Sequence, residues 1–304
     1  MGVINQSVYK NGRWYFMKLS SVLNSDKITL SFEVFPPKTT ANFESVRDAA
    51  MRVAELKPDY MSVTCGAGGS TGSNTLAIAS EIQNKHNVTT IAHLTCVGTT
   101  KASLKENLDA MKAAGIENIL ALRGDKPKDY EGDPYLDFHY ASELTAAIKE
   151  YGSFCIGGAC YPEGHVESAH KIDDIKNLKR KIDEGCEFLT TQMFFDNNIF
   201  FNFLYKVRNE GITVPVIPGI MPITRANQVA NAVKLSGCNV PERFKNLVDR
   251  FGDNPRAMQQ AGIAYATDQI IDLIANGINH IHVYSMNKSE VVQALQNNLS
   301  EIIK

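Results

Sequence analysis

Glu33 is the residue of this chain best placed for acid chemistry. It sits in Ser31-Phe32-Glu33-Val34-Phe35-Pro36-Pro37-Lys38, a β-rich run that carries a carboxylate between two phenylalanines and is then halted by a double proline. An acid wedged among aromatics loses solvation when ionised, so its pKa is expected to rise and leave it a proton donor near neutral pH. The alternative is an ordinary glutamate at a strand end. A second polar segment, Leu122-Arg123-Gly124-Asp125, closes the apolar run from Asn118 to Ala121. A third, Tyr161 to His170, holds Glu163, His165, Glu167 and His170, residue types that ligate zinc at short spacing. It has no recognisable H-E-x-x-H or cysteine-partner pattern, and the helix expected next presents Asp174, Asn177 and Lys181 at i, i+3 and i+7 with Arg180 beside them. Carboxylate and amide suit the hydroxyls of a ribose, and the cations suit a diphosphate, so this face favours a nucleotide cofactor over a metal; a plain solvated face is the other reading.

Composition narrows the classes. The formal charge of −2 is spread over 31 basic and 33 acidic residues, which leaves no electrostatic footprint for nucleic acid. No run approaches the length of uninterrupted apolar sequence that a membrane helix needs, and the N-terminus lacks a basic-then-apolar leader pattern, so a soluble cytoplasmic protein is expected. The six cysteines include no C-x-x-C and are expected as free thiols. Residues 1–16 show isolated aromatics without periodicity and read as an extension of uncertain order; 17–304 read as one domain. Met17 could itself be a start.

The elements that must position these residues follow one grammar of helix, glycine, β-rich run and polar loop. Gly115, Gly185, Gly211 and Gly277 each precede an apolar run and fit the left-handed position just past a helix. Together with Ile28–Phe35, Tyr60–Val63, Thr89–His93 and Phe154–Ala159, the runs at Asn118–Leu122, Phe188–Gln192, Val216–Gly219 and His280–Tyr284 make eight strand candidates, most of them about 30 residues apart. Amphipathic helices lie between: Ser103-Leu104-Lys105-Glu106 reads as a capping box, and Ile172, Ile175, Leu178 and Ile182 form an apolar stripe. Extra helical sequence runs from Val240 to Ile274. Eight alternating units in a chain of this length predict an α/β fold closed as an eight-stranded (β/α) TIM barrel, with its chemistry at the C-terminal strand ends. The run Gly66-Ala67-Gly68-Gly69-Ser70-Thr71-Gly72 nearly spells G-x-G-x-x-G, but its last glycine is one place late and no acidic residue follows at the right distance, which argues against an open dinucleotide-binding sheet. It reads as a flexible loop that lets a planar ligand approach the backbone.

The motifs Ser-Phe-Glu-x-Phe-Pro-Pro at 31–37, Val63-Thr64, His93-Leu94-Thr95-Cys96, Leu122-Arg123-Gly124-Asp125, Tyr161-Pro162-Glu163, Asn177-Leu178-Lys179-Arg180-Lys181, Thr191-Gln192, Ile217-Pro218-Gly219-Ile220 and Tyr284 to Asn287 together resemble the methylenetetrahydrofolate reductases, from about Ile28 to Glu290. The resemblance implies FAD at the barrel mouth, reduced by NADH or NADPH, and ping-pong reduction of 5,10-methylenetetrahydrofolate to 5-methyltetrahydrofolate. By motif, Glu33 would protonate the folate nitrogen that leaves as the five-membered ring opens. Asp125 would bind the pterin edge and tune the reduced cofactor, and Gln192 would serve pterin and nicotinamide in turn, with Thr64 near the nicotinamide. Cofactor contacts are expected from Cys65, Ala67, His93, Arg123, Gly124, Tyr140, Ala141, Tyr161, His165, Ser168, Asp174, Asn177, Arg180 and Lys181. Gln228 and Lys288 would contact the folate. No metal is implied, and homo-oligomers are.

Three positions depart from the family pattern. Cys65 stands where many relatives have tyrosine, Gly72-Ser73-Asn74 replaces a more charged stretch, and Lys288 replaces an arginine, offering a point charge in place of a bidentate fork. With the chain ending at Lys304, no C-terminal regulatory domain and no inhibition by adenosylmethionine are expected. The rival readings are a pterin-binding methyltransferase barrel, which needs no diphosphate-binding helix face, and a non-catalytic folate or flavin carrier, which needs no proton donor at Glu33.

Overall fold

The fold was obtained as a computed structural model and describes residues 7–10, 13–16, 18–37, 42–65, 72–126, 131–168 and 170–303. At the N-terminus β1 (Ser7–Lys10) and β2 (Arg13–Phe16) pair as an antiparallel hairpin. A short helix, α1 (Leu19–Leu23), follows. Eight staves of parallel sheet then alternate with helices: β3 (Thr29–Val34), α2 (Phe43–Ala54), β4 (Tyr60–Val63), α3 (Gly72–His86), β5 (Thr89–Thr95), α4 (Lys101–Ala113), β6 (Asn118–Leu122), α5 (Ala141–Tyr151), β7 (Cys155–Cys160), α6 (Lys171–Asp183), β8 (Phe188–Thr191) and α7 (Asn197–Asn209). The seventh stave is split into β9 (Val216–Ile217) and β10 (Gly219–Ile220); α8 (Asn227–Ser236), α9 (Glu242–Phe251), α10 (Pro255–Ala275), β11 (His280–Tyr284) and α11 (Ser289–Leu299) complete the chain.

The TIM-barrel expectation holds, with one refinement at the seventh stave. Proline has no N–H to give a ladder, so at Pro218 the stave changes partner: β9 pairs with β8 and β10 pairs with β11, which closes the ring. The Pro218 carbonyl accepts from His282 N at 3.0 Å, and Gly219 N donates to Thr191 Oγ1 at 2.9 Å. A Cβ at Gly219 would stand 2.4 Å from the Thr191 carbonyl, so only glycine lets these backbones meet.

Period-two alternation sorts each strand into an outer and an inner face. Leu30, Phe32 and Val34 of β3 point outward into the layer shared with the helices, and Ser31 and Glu33 point inward. The inner face is itself layered. Its base is apolar, with Tyr60, Ile91, Leu120, Cys155, Phe188 and Ile217 packed against Leu19, Val22 and Leu23 of α1. The helix thus plugs the N-terminal mouth, and Asn118 Oδ1 accepts from Leu19 N at 2.7 Å across 99 residues. Sequence reading did not find this helix. Above the plug the interior turns polar, with Ser31, Ser62, His93, Thr190 and His282 all buried.

The four glycines expected after helices carry positive φ, from 73° at Gly211 to 113° at Gly185. One cap falls elsewhere than expected. The Ser103–Glu106 capping box is not the helix start: α4 begins two residues before Ser103, and Thr100 is its N-cap, accepting from Ser103 N while Ser103 Oγ accepts from Thr100 N at 2.9 Å. Serine at the third helical position does the work assigned to glutamate.

Candidate active site

Glu33, the penultimate residue of β3, lines a cavity of about 1280 Å³ on the C-terminal face of the barrel. Such a volume exceeds the roughly 300–1,000 Å³ of an ordinary small-molecule pocket, so it has room for a large cofactor with a second ligand beside it. The Glu33 Oε2 atom lies 3.7 Å from His93 Nε2 and 3.7 Å from His282 Nε2, and Ser62 Oγ donates to it at 3.4 Å. The two imidazoles are sealed in, while the Glu33 side chain keeps 21 % of its surface toward the cavity it lines.

These neighbours overturn the expectation of a raised Glu33 pKa. Burial pushes the carboxyl up, but His282, His93 and Ser62 together outweigh it and hold the pKa below the usual value. Part of the reason is strand geometry: Phe32 points to the outer face of β3, away from the carboxyl group, and the inward neighbours are imidazoles and a hydroxyl. His93 shifts in the opposite sense to an ordinary ion-pair partner, its imidazole pushed down to about 4 by burial against only partial support from Glu33.

His282, Ser31 and Ser62 were missed in the sequence. The signal was there in the alternation of His280, His282 and Tyr284, whose register sets His282 beside Ser31 and Tyr284 beside Glu33. Tyr284 reaches across to donate to the Thr191 carbonyl at 2.6 Å.

The wall opposite is built from β6, β7 and α6. Asp125 is exposed to the cavity just past β6. Beside it Gly124 has φ +78°, and a Cβ there would meet Thr95 Cβ at 3.0 Å. Arg123 pairs with Glu167 and lies 5.2 Å over the Tyr135 ring, whose hydroxyl donates to Gly124 O at 2.9 Å. Tyr161 sits edge-on to His165, ring centroids 4.6 Å apart, and burial, with Asp125 adding, pushes its hydroxyl up to about 12. Asp174 accepts from His165 N and Ser168 Oγ, so in this structure it ties the loop after β7 to α6. Arg180 is exposed and donates to Asn177 Oδ1 at 3.3 Å. Lys181 turns inward, passing over Gly158 where a Cβ would be 2.8 Å from its Cδ, and donates to Ala159 O at 2.8 Å. Burial lowers its pKa.

The remaining expected residues frame the mouth. Thr64 and Cys65 follow β4, and Tyr140 and Ala141 begin α5, all on the cavity wall. Gln192 Oε1 accepts from Met193 N at 2.9 Å, and Gln228 Oε1 accepts from Thr224 N and Arg225 N, both at 2.9 Å. Lys288 is not on the wall; it donates to Thr224 Oγ1 at 2.6 Å and so meets Gln228 at its rim. Ala67 lies outside the described residues. Met193, Met221 and Met286 also line the space, an adaptable apolar contribution that sequence reading did not assign.

The carboxylates weighed as metal ligands have other partners. Glu163 accepts from Asn239 N at 3.0 Å and Glu167 pairs with Arg123, while His165 Nδ1 accepts from Glu167 N at 3.1 Å. Among the described residues no group of three metal-ligating side chains forms.

Comparison with known proteins matches residues 18–300 to the family described as methylenetetrahydrofolate reductase. Methylenetetrahydrofolate reductase 1 of Schizosaccharomyces pombe is 36% identical over 276 residues, covering 89% of this chain and 45% of the relative, so the chain spans about half that protein's length. The 5,10-methylenetetrahydrofolate reductase of Pectobacterium carotovorum is 33% identical over 269 residues, covering 88% of this chain and 89% of its own. A solved structure of an uncharacterized Clostridium thermocellum protein, described as binding two copies of 5-methyl-5,6,7,8-tetrahydrofolic acid, shares the fold at TM-score 0.64 and 16% identity, over 94% of this chain and 98% of that one. With nearly its whole length matched in sequence and the matched motifs gathered at one barrel mouth, the chain belongs to the methylenetetrahydrofolate reductase family.

Proposed function

We propose that this protein reduces 5,10-methylenetetrahydrofolate to 5-methyltetrahydrofolate with electrons from NADH or NADPH, through FAD held at the barrel mouth, each substrate using the same cavity in turn. The observation that carries the reading is the convergence of Glu33, Asp125, Gln192 and the α6 face on one cavity large enough for a dinucleotide and a second ligand. The names of the relatives support the substrate, and the folate-binding structural neighbour supports the class of ligand. Homo-oligomers and a cytoplasmic location belong to the same reading; among the described residues no helix is long and apolar enough to cross a membrane.

The residues fit the cofactor. Arg180 stands exposed beside Asn177 at the outer cavity wall, where a guanidinium and an amide suit a diphosphate and a ribose. Lys181, the next residue along α6, turns its positive charge inward from there, and Gly124 brings backbone close to any ring lying over β6. When bound, FAD would supply two-electron hydride chemistry between the nicotinamide and the folate. The chain's own residues do the rest. Glu33 delivers a proton to the ring nitrogen that must leave, Asp125 holds the amide-and-amino edge of the pterin, and Gln192 presents its free amide nitrogen to the pterin or the nicotinamide, with Thr64 near the latter. Gln228 and Lys288 meet the tail of the folate.

The purified protein should be yellow, should bleach anaerobically with reduced nicotinamide, and should regain its colour when methylenetetrahydrofolate is added. A protein that takes up no FAD on reconstitution, or a bleached protein that methylenetetrahydrofolate leaves bleached, would contradict the reading. The first outcome points to a pterin methyltransferase, and a yellow protein that never bleaches points to a carrier.

A further inference from the structure

Among the described non-glycine residues with positive φ, only Met286 at 53° and Asn287 at 56° are consecutive, and Met286 lines the cavity. Asparagine visits the left-handed region readily; methionine does so at a cost, and such a pair persists only where its surroundings over-determine it. The surroundings here are the end of β3. The ladder between β3 and β11 stops at the pair Glu33–Tyr284, and Pro36 and Pro37 have no N–H with which to continue it. Side chains take over. Ser285 Oγ and Ser285 N both donate to Glu33 O, at 2.5 and 3.3 Å. The Asn287 carboxamide then meets both backbone groups of Phe35: Oδ1 accepts from Phe35 N and Nδ2 donates to Phe35 O, each at 3.0 Å. Among uncharged side chains of that length only a carboxamide offers an acceptor and a donor on two coplanar atoms, and the two Phe35 groups fix which way it points. Ser285 closes the turn, its Oγ accepting from Asn287 N at 3.2 Å and its carbonyl from Lys288 N at 3.0 Å.

What this lock presents to the cavity is apolar. Phe35 is 36% exposed and Met286 40% exposed, and both line the same space as Glu33. Phe35 stands two residues beyond Glu33. Met286 stands two before Lys288, whose ammonium donates to Thr224 Oγ1 at 2.6 Å, and that hydroxyl donates to Gln228 Oε1 at 3.2 Å. In the proposed function Glu33 meets the reacting ring of the folate and Gln228 with Lys288 its tail, so Phe35 and Met286 flank the stretch between, which in a folate is an aromatic ring. We propose that Asn287 is a positioning residue: it locks Phe35 and Met286 into an apolar rest for that ring, on the wall opposite α6, and so favours the folate over the nicotinamide at a cavity both use. A ring and a thioether held in place before binding lose little freedom when a flat ligand settles on them, which is where the affinity comes from.

The identity of the ring rests on the folate reading; the lock does not, and it is tested without turnover. Protein labelled with ¹⁵N-phenylalanine, free of folate and nicotinamide, is followed by amide hydrogen exchange, with the Phe35 signal assigned by its loss in Phe35→Leu. Asn287→Gly deletes the carboxamide and relaxes the left-handed backbone, whereas Asn287→Asp keeps the acceptor for Phe35 N and loses the donor to Phe35 O. Exchange at Phe35 should quicken about fivefold or more in Asn287→Gly and less in Asn287→Asp, with Phe32 in β3 unaltered. A Phe35 amide that is unprotected in the wild type, or indifferent to both variants, would overturn the lock. In the flavin-loaded enzyme, the methylenetetrahydrofolate concentration that half-saturates flavin reoxidation should rise about 10-fold in Asn287→Gly, and partway in Asn287→Asp, while the limiting rate and the half-saturating nicotinamide concentration for flavin reduction stay within about twofold. Equal weakening of both ligands, or a loss in the limiting rate alone, would overturn the ring rest. A wild type whose bleached flavin the folate never reoxidises counts against the proposed activity, and the exchange rates still decide the lock.

Discussion

A carboxylate and two histidines within 3.7 Å, all facing into the barrel, are the chemical centre of the molecule, and their energetics leave a mark on stability. Burial holds the His93 imidazole at about 4 against 6.5 in the unfolded chain. Between those values the unfolded state binds a proton that the folded state does not, so stability rises with pH there and is lost as pH falls, by about 2 kcal/mol from pH 6.5 to 5. Urea unfolding of wild type and His93→Gln at the two pH values should show this loss in the wild type and less of it in the variant; parallel losses would remove His93 as the cause. Glu33 was legible in the sequence because a double proline halts its strand three residues later, whereas its electrostatics were not, since flanking aromatics say nothing about the face a strand turns inward. His282 lay in plain alternation with Tyr284, but only the pairing of β11 with β3 makes it a neighbour of Glu33.

At the scale of elements, α6 and the loop before it form the wall assigned to the cofactor. Replacing Arg180 and Lys181 together with alanine should give folded protein that retains FAD only at high concentration, measured as flavin content after gel filtration. Full retention would assign both side chains to solvent or to structure. Lys181 is the subtler of the pair, because its ammonium already donates to Ala159 O and its removal leaves that carbonyl to another partner. Packing between elements gives a sharper structural prediction at α10. A Cβ on Gly262 would stand 1.7 Å from the Ile223 carbonyl, so Gly262→Ala must push α10 off the segment after β10. A loss of about 3 kcal/mol or more is expected in thermal or urea unfolding, as for other forced overpacking. Helix ends marked by glycine were readable from the sequence. The start of α4 was not, because Thr100 and Ser103 form a cap of the same kind one turn earlier.

Over the whole molecule the barrel divides its labour along its axis. The lower half is an apolar plug, the upper half a polar floor, and the cavity opens above both. Eight units and their spacing were legible because each strand and helix carries its own period; the plug helix was not, since its five residues give too short a pattern and its burial depends on the closed barrel. Leu19→Ala should cost about 2–5 kcal/mol in unfolding while leaving flavin content unchanged, since Leu19 is fully buried in the apolar base and is not among the residues that line the cavity. One cavity is proposed to serve two half-reactions with different needs, hydride transfer alone for the nicotinamide and hydride transfer with a proton for the folate. Glu33→Gln keeps the size and hydrogen bonding of that side chain and removes the acid. Stopped-flow measurement of each half-reaction in this variant is therefore the most direct test: reduction of bound flavin by the nicotinamide should stay near the wild-type rate, and reoxidation by methylenetetrahydrofolate should fall about 10²–10⁴-fold. Equal loss in both half-reactions, or loss in neither, would contradict the assignment of Glu33 as the acid of the folate step.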